Sequence, residues 1–302
     1  MIDAKNLTKK FGKFTAVDDI TCQIKKGCIY GLVGSNGAGK STFLRMITGV
    51  YRPDNGTITI DDLPVYDNPE AKKKFAYVPD ELYFLPEASI NRMAELYASV
   101  YENFDMERCK TLTEAFQLNP KRSINTFSKG MKRQAAIILA LSCRTDYLFF
   151  DETFDGLDPI MRSLVKSLIC QDVIEKNTTV IITSHSLREL EDICDQLALL
   201  HKGGLVLEND EDNLKTERFK VQIGFAREFD ESLFSNIQYT KFKKVGSVAS
   251  MIIKGDKDET HELLKQLNPV LLDMLPLTLE EVFTYEMEAL GYDFSNILKG
   301  EE

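Results

Sequence analysis

Short apolar runs recur along the first two-thirds of the chain, each closed by polar, glycine or proline positions. Cys28–Val33, Phe75–Val78, Tyr147–Phe150 and Thr179–Ile182 read as strands, Tyr147–Phe150 as a buried one. Residues 2–33 as a whole read as short strands, with turns at Lys9–Lys13 and Lys25–Gly27, and Thr57–Ile60 alternates like a strand between Asn55-Gly56 and Asp61-Asp62. Helical spacing takes over elsewhere. Residues 89–118 place Ile90, Met93, Leu96, Tyr97 and Val100 on one stripe, and Lys132–Cys143, Ile160–Glu175 and Leu187–Asp195 read as further helices. Leu197–Leu200 and Leu205–Leu207 form a hairpin around Lys202–Gly204. This alternation predicts an α/β fold with a mostly parallel sheet and helices on both faces, residues 89–118 being a helical insertion. Beyond the charged connection Glu208–Asp212, strand-like Phe219–Ile223 and Val248–Ile253 and helix-like Asp258–Leu267 predict a small α+β accessory domain without a chemical motif.

One segment adds chemistry to this frame. Gly34, Ser35, Asn36, Gly37, Ala38, Gly39, Lys40, Ser41 and Thr42 lie between the apolar run Cys28–Val33 and helix-like Phe43–Ile47. Strand, glycine loop and helix in that order form a phosphate loop. The glycines permit backbone geometries that turn N–H groups inward around phosphate oxygens, at the positive end of the next helix. Lys40 can reach the β and γ phosphates, and Ser41 can offer its hydroxyl to Mg²⁺.

Four later segments narrow the choice among phosphate-loop proteins. Asp151 and Glu152 stand at the C-terminal end of a buried strand, where ligands collect in doubly wound sheets. Asp151 can hold Mg²⁺ directly or through water, and Glu152 can take a proton from an attacking water. Ser128, Lys129 and Gly130 precede a helix and make either a second anion site or an ordinary N-cap. Asp155–Pro159 follows the acidic pair, and Thr183-Ser184-His185 ends a strand, where the histidine can hydrogen-bond a γ-phosphate.

Composition excludes more than it selects. A chain of 302 residues with a formal net charge of -10 can bury a large core and is a poor general ligand for nucleic acid, so no nucleic-acid partner is expected. No apolar run is long enough to cross a bilayer, and Met1–Asn6 lacks the apolar stretch of a signal peptide, so a cytoplasmic protein is expected. The six cysteines show no C-x-x-C spacing and read as small buried thiols rather than zinc ligands.

Taken in order, these motifs resemble the ATP-binding subunit of ABC transporters, over roughly residues 2–207. The resemblance implies an ABC-type P-loop NTPase: a mostly parallel core sheet, an antiparallel N-terminal β subdomain and a helical subdomain at about residues 82–142. It implies an ABC ATPase domain over residues 1–212 and an accessory C-terminal domain over residues 213–302. Gly34–Thr42 is similar to Walker A, Phe149–Glu152 to the end of Walker B, Ser128–Met131 to the signature, Asp155–Asp158 to the D-loop and His185 to the switch histidine. Phe11 matches the aromatic that stacks on adenine, and Asp80 stands where the family places a glutamine facing the metal and the nucleophilic water, which makes Asp80 a candidate metal contact, direct or through a bridging water. Lys129 replaces the first signature glycine and faces either the opposite nucleotide or solvent. Glu152, His185 and Lys40 are the implied catalytic residues, and ATP with Mg²⁺ the implied ligands.

The form Ser-Lys-Gly-Met resembles bacterial exporters with separate ATPase and permease chains, and Pro276–Phe283 resembles a recurring segment of their C-terminal extensions. The implied assembly is a homodimer or heterodimer closed around ATP, held by a transmembrane permease on the inner face of the membrane. Two alternatives stay open: a soluble ABC-type ATPase in a non-transport complex, and a nucleotide-gated subunit with poor catalysis.

Overall fold

The computed structural model describes residues 1–210, 218–277 and Glu281. The chain divides into two compact units, Met1–Glu208 and a second beginning at Asn209. The expected boundary between residues 212 and 213 and most of Pro276–Phe283 lie outside the described residues.

The first unit opens with β1 (Ile2–Phe11) and β2 (Phe14–Ile24), then β3 (Ile29–Val33), α1 (Lys40–Ile47), β4 (Asn55–Ile60), β5 (Leu63–Pro64), α2 (Pro69–Lys72) and β6 (Phe75–Val78). Lys9, Lys10 and Phe11 belong to β1, so the expected turn shrinks to Gly12-Lys13. Phe11 pairs with Phe14, and Gly12 takes a positive φ of 60°. An antiparallel sheet runs in the order β2-β1-β4-β5.

The helical insertion is α3 (Ile90–Val100) and α4 (Met106–Ala115), followed by α5 (Lys129–Ser142). Each starts on a side-chain cap: Ser89 accepts from Arg92 N, Asp105 from Arg108 N and Ser128 from Met131 N. Then come β7 (Tyr147–Asp151), α6 (Pro159–Lys176), β8 (Thr179–Ser184), β9 (Gln196–His201) and β10 (Gly204–Asp210). The core sheet runs β10-β9-β3-β8-β7-β6, with β3 parallel to β8 and β9, and β7 parallel to β6 and β8. Every residue of β3, β7 and β8 is buried, which is why these strands read as near-continuous apolar runs. Phe43, Leu44, Met46 and Ile47 of α1 join a core shared by both sheets.

The expected helix over Leu187–Asp195 is not formed. A short 3₁₀ turn covers Leu187–Glu189 and the rest is turns. Asp195 ties the far end of the segment to β3: its N–H donates to Ile29 O at 2.9 Å, and its carboxylate accepts Ile29 N–H at 2.7 Å. The segment is docked on β3 before a helix can propagate. Leu190, Cys194 and Leu197 crowd Gly31, where a Cβ would lie 2.5 Å from Leu197 and 2.8 Å from Cys194 Sγ.

The second unit holds β11 (Arg218–Gly224), β12 (Tyr239–Val245), β13 (Val248–Lys254), α7 (Lys257–Lys265) and β14 (Leu271–Pro276). Its antiparallel sheet has the order β12-β13-β11-β14. Phe219, Val221, Ile223, Phe234, Met251, Ile253 and Leu264 make a core of its own.

Candidate functional site

The phosphate loop leaves the end of β3 and closes on the start of α1. Gly39 is the residue before the helix, with φ 105°, a conformation closed to residues bearing a Cβ. A Cβ there would lie 2.4 Å from Ala16 O, and one on Gly34 would lie 2.5 Å from Leu200 O. The loop is thus pressed between β2 and the end of β9. Gly203 N–H donates to Ala38 O at 3.0 Å and Gly203 O accepts from Asp18 N–H at 2.8 Å, pinning the loop from the β9–β10 turn. Ser35, Asn36 and Gly37 stay exposed, whereas Lys40 is buried. Thr42 is half-buried one residue beyond Ser41 on α1.

Lys40 Nζ donates to Gly34 O at 2.6 Å and Ser35 O at 3.2 Å, and pairs with Glu152 Oε1 at 3.0 Å. The other Glu152 oxygen, Oε2, lies 2.9 Å from His185 Nδ1 and accepts His185 N–H at 3.2 Å. One carboxylate therefore joins the phosphate-loop lysine to the histidine after β8. Its hydrogen bond raises the His185 imidazole above its ordinary range, against the smaller opposing effect of burial.

Asp151 faces the same end of the sheet, fully buried. Ser41 Oγ donates to its Oδ1 at 3.0 Å, Thr183 Oγ1 to the same oxygen at 2.7 Å, and Tyr77 OH to Oδ2 at 3.4 Å. Burial raises the Asp151 carboxyl, while the Thr183 and Ser41 hydroxyls and the Arg45 charge pull it back. Asp151 and Thr183 are register partners across β7 and β8, so sheet pairing brings the two side chains together.

The remaining predicted residues are placed elsewhere. Ser128 caps α5, with Lys129 exposed beside it. Gly130 lies against the segment after β7, where a Cβ would sit 2.7 Å from Gly156 O. Asp158 caps α6, accepting the N–H groups of Ile160 and Met161 at 3.0 Å each. Phe11 is 45% exposed at the end of β1, edge-on to Tyr51 with ring centroids 5.5 Å apart. Asp80 is bonded to Arg133 at 3.0 Å. Arg133, Tyr77 and Thr183 join the site without a motif to mark them; of these, only Thr183 has a local sequence signal, two residues before His185 at the end of a strand.

Oxygen donors around Asp151 suit a hard cation. Among the described residues no group of three or more His, Cys, Asp or Glu side chains could hold a metal ion. Asp151 and the Ser41 hydroxyl beside it fit Mg²⁺ shared with phosphate oxygens and water rather than caged by protein.

A family model described as ABC transporter matches residues 17–155. The linearmycin resistance ATP-binding protein LnrL of Bacillus subtilis (strain 168) is 34% identical over 212 residues, 68% of each chain. The bacitracin transport ATP-binding protein BcrA of Bacillus licheniformis is 31% identical over 223 residues, 73% of each chain. The ABC transporter ATP-binding protein YtrB of Bacillus subtilis (strain 168) is 29% identical over 283 residues, 94% of this chain and 97% of that one. Among solved structures, an ATP-binding subunit of an ABC transporter aligns with a TM-score of 0.66 at 26% identity, covering 71% of this chain and 92% of that one. A dimeric bacterial ABC transporter cassette shares the fold, with a TM-score of 0.64 at 23% identity over 70% of this chain and 99% of that one.

Proposed function

This chain belongs to the family of ABC transporter ATP-binding proteins and is an ATPase, and on that premise we propose that it dimerises around ATP and powers export through a separate transmembrane permease. The export reading is supported by relatives named for linearmycin resistance and bacitracin transport. No helix of the described residues is long and apolar enough to cross a membrane. The permease is assigned the membrane path, and this chain is held by it on the inner face.

The observation that carries the catalytic assignment is the Lys40–Glu152–His185 chain beside the Ser41–Asp151 pair. Phosphoryl transfer to water needs position and charge more than covalent chemistry. Glu152 orients the attacking water and takes its proton. Lys40 and His185 neutralise charge on the transferred group, and the N–H groups of Gly34–Thr42 cradle the phosphates. Mg²⁺, held by Ser41 and Asp151, supplies positive charge against the β and γ phosphates when bound. Phe11 offers its exposed ring to adenine. Ser128, Lys129, Gly130 and Asp158 complete the site of the opposite subunit.

Glu152→Gln tests the assignment. The amide keeps the shape and an acceptor for His185 N–H but cannot take a proton. The variant is expected to bind ATP, accumulate as a dimer and lose about 10²- to 10⁴-fold in turnover. Steady-state hydrolysis at the wild-type rate would overturn the role of Glu152.

A further inference from the structure

Arg133 is 1% exposed, yet nothing in the proposed mechanism uses it. Its guanidinium forks between two segments. Nη2 donates to Asp80 O and to Asp80 Oδ1, each at 3.0 Å. Nη1 donates to Glu152 O, with a longer 3.5 Å approach to Asp151 O. A buried guanidinium is costly unless paired, and Asp80, with its side chain 44% exposed, is the carboxylate that pairs it.

The Glu152 end of this fork is unusual. Glu152 has a φ of 48°, in the left-handed region that residues with a Cβ avoid. Such a conformation persists only where its surroundings over-determine it. Here the Glu152 N–H donates to Thr183 Oγ1 at 2.9 Å, and its carbonyl accepts from Arg133 and from Asp155 N–H at 3.2 Å. The peptide groups on both sides of Glu152 are thereby fixed, and with them the direction in which its carboxylate leaves toward Lys40 and His185.

We infer that Arg133 is a positioning residue for Glu152 and that Asp80 acts on the site through Arg133, by holding its guanidinium against the Glu152 carbonyl, rather than as a metal ligand. The inference rests on the reading of Glu152 as the catalytic base. Arginine is required because one planar fork serves both ends, which a lysine ammonium cannot do.

The test is a double-mutant cycle on the full chain with Asp80→Ala and Arg133→Lys, reading kcat, the KM for ATP and the Mg²⁺ concentration giving half-maximal rate. Asp80→Ala alters a half-exposed side chain and keeps the fold measurable even where Arg133→Lys does not. It is expected to lower kcat about tenfold or more, on the scale of small misplacements of a reacting group. The KM for ATP and the half-maximal Mg²⁺ concentration stay within about twofold. In the Arg133→Lys background, adding Asp80→Ala has no further effect, because the fork it anchors is already broken. Multiplying losses in the cycle, or a rise in the Mg²⁺ requirement of Asp80→Ala, would overturn the inference in favour of a metal contact. A wild-type kcat in Asp80→Ala would overturn it outright, leaving Asp80 no role in the site. Wild-type-like hydrolysis by Glu152→Gln is the separate result that removes the underlying reading, and the inference falls with it.

Discussion

At the scale of the residue, the site is organised around what each carboxylate can afford to face. Asp151 is enclosed by hydroxyls, whereas Glu152 stands between the Lys40 ammonium and the His185 imidazole. The Glu152 contact raises the His185 pKa above its ordinary value of 6.5. The sign follows from linkage: the ion pair contributes fully to stability below about pH 6.5 and is lost as pH climbs through the raised native value. Glu152→Gln removes the negative partner, so the His185 midpoint is expected to fall toward its ordinary range. Histidine ring resonances followed by NMR across pH would show it, the chain having three histidines to assign. An unchanged midpoint would mean that Glu152 is not the group that sustains the His185 charge.

At the scale of the element, three of the helices of the first unit start on capping side chains. Ser89, Ser128 and Asp158 each sit one residue before a helix and accept its first free N–H groups. The apolar spacing makes α3, α5 and α6 legible, and the caps fix where each one starts. The phosphate loop was legible for a related reason: its chemistry is contiguous, with each part a few residues from the next. The Arg133 fork was not, because it joins residues 53 positions apart and depends on where a helix side chain lands in the fold. The helical spacing of Leu187, Leu190 and Cys194 misled, since it reflects a turn packed on β3 and not a helix face. β12 and β14 escaped notice for another reason. Both are edge strands with mostly exposed side chains, and β12 carries three exposed lysines, Lys241, Lys243 and Lys244, which blurs the apolar alternation. Asp158 offers a test at this scale. Asp158→Ala removes the cap of α6 and is expected to cost about 0.5–2 kcal/mol in urea unfolding, and Asp158→Ser to recover most of it. If Asp158→Ser regains stability but not ATPase activity, the carboxylate has a role at the opposite nucleotide beyond capping.

At the scale of the whole molecule, the site described within one chain is only part of the proposed catalytic unit. Gly34–Thr42 and Glu152 gather at one end of the core sheet, while Ser128 and Gly130 engage α5 and Gly156. A head-to-tail pair would place the phosphate loop of one chain opposite Ser128–Gly130 of the other, so that each ATP is held by both. The symmetric form of this assembly makes a sharp prediction. Lys40→Ala spoils the phosphate loop and Ser128→Arg spoils the opposite face; each variant alone has two damaged sites per dimer. In a mixed dimer both lesions fall on the same site, leaving the other intact. An equimolar mixture is half mixed dimers, each with one good site of two, so about a quarter of the wild-type sites return. Single-turnover hydrolysis of bound ATP, measured before and after mixing, reads this directly. If each chain completes its own site, every chain in the mixture still carries a lesion and the mixture stays as inactive as its components. Recovery of activity therefore requires that the two halves of the site come from different chains.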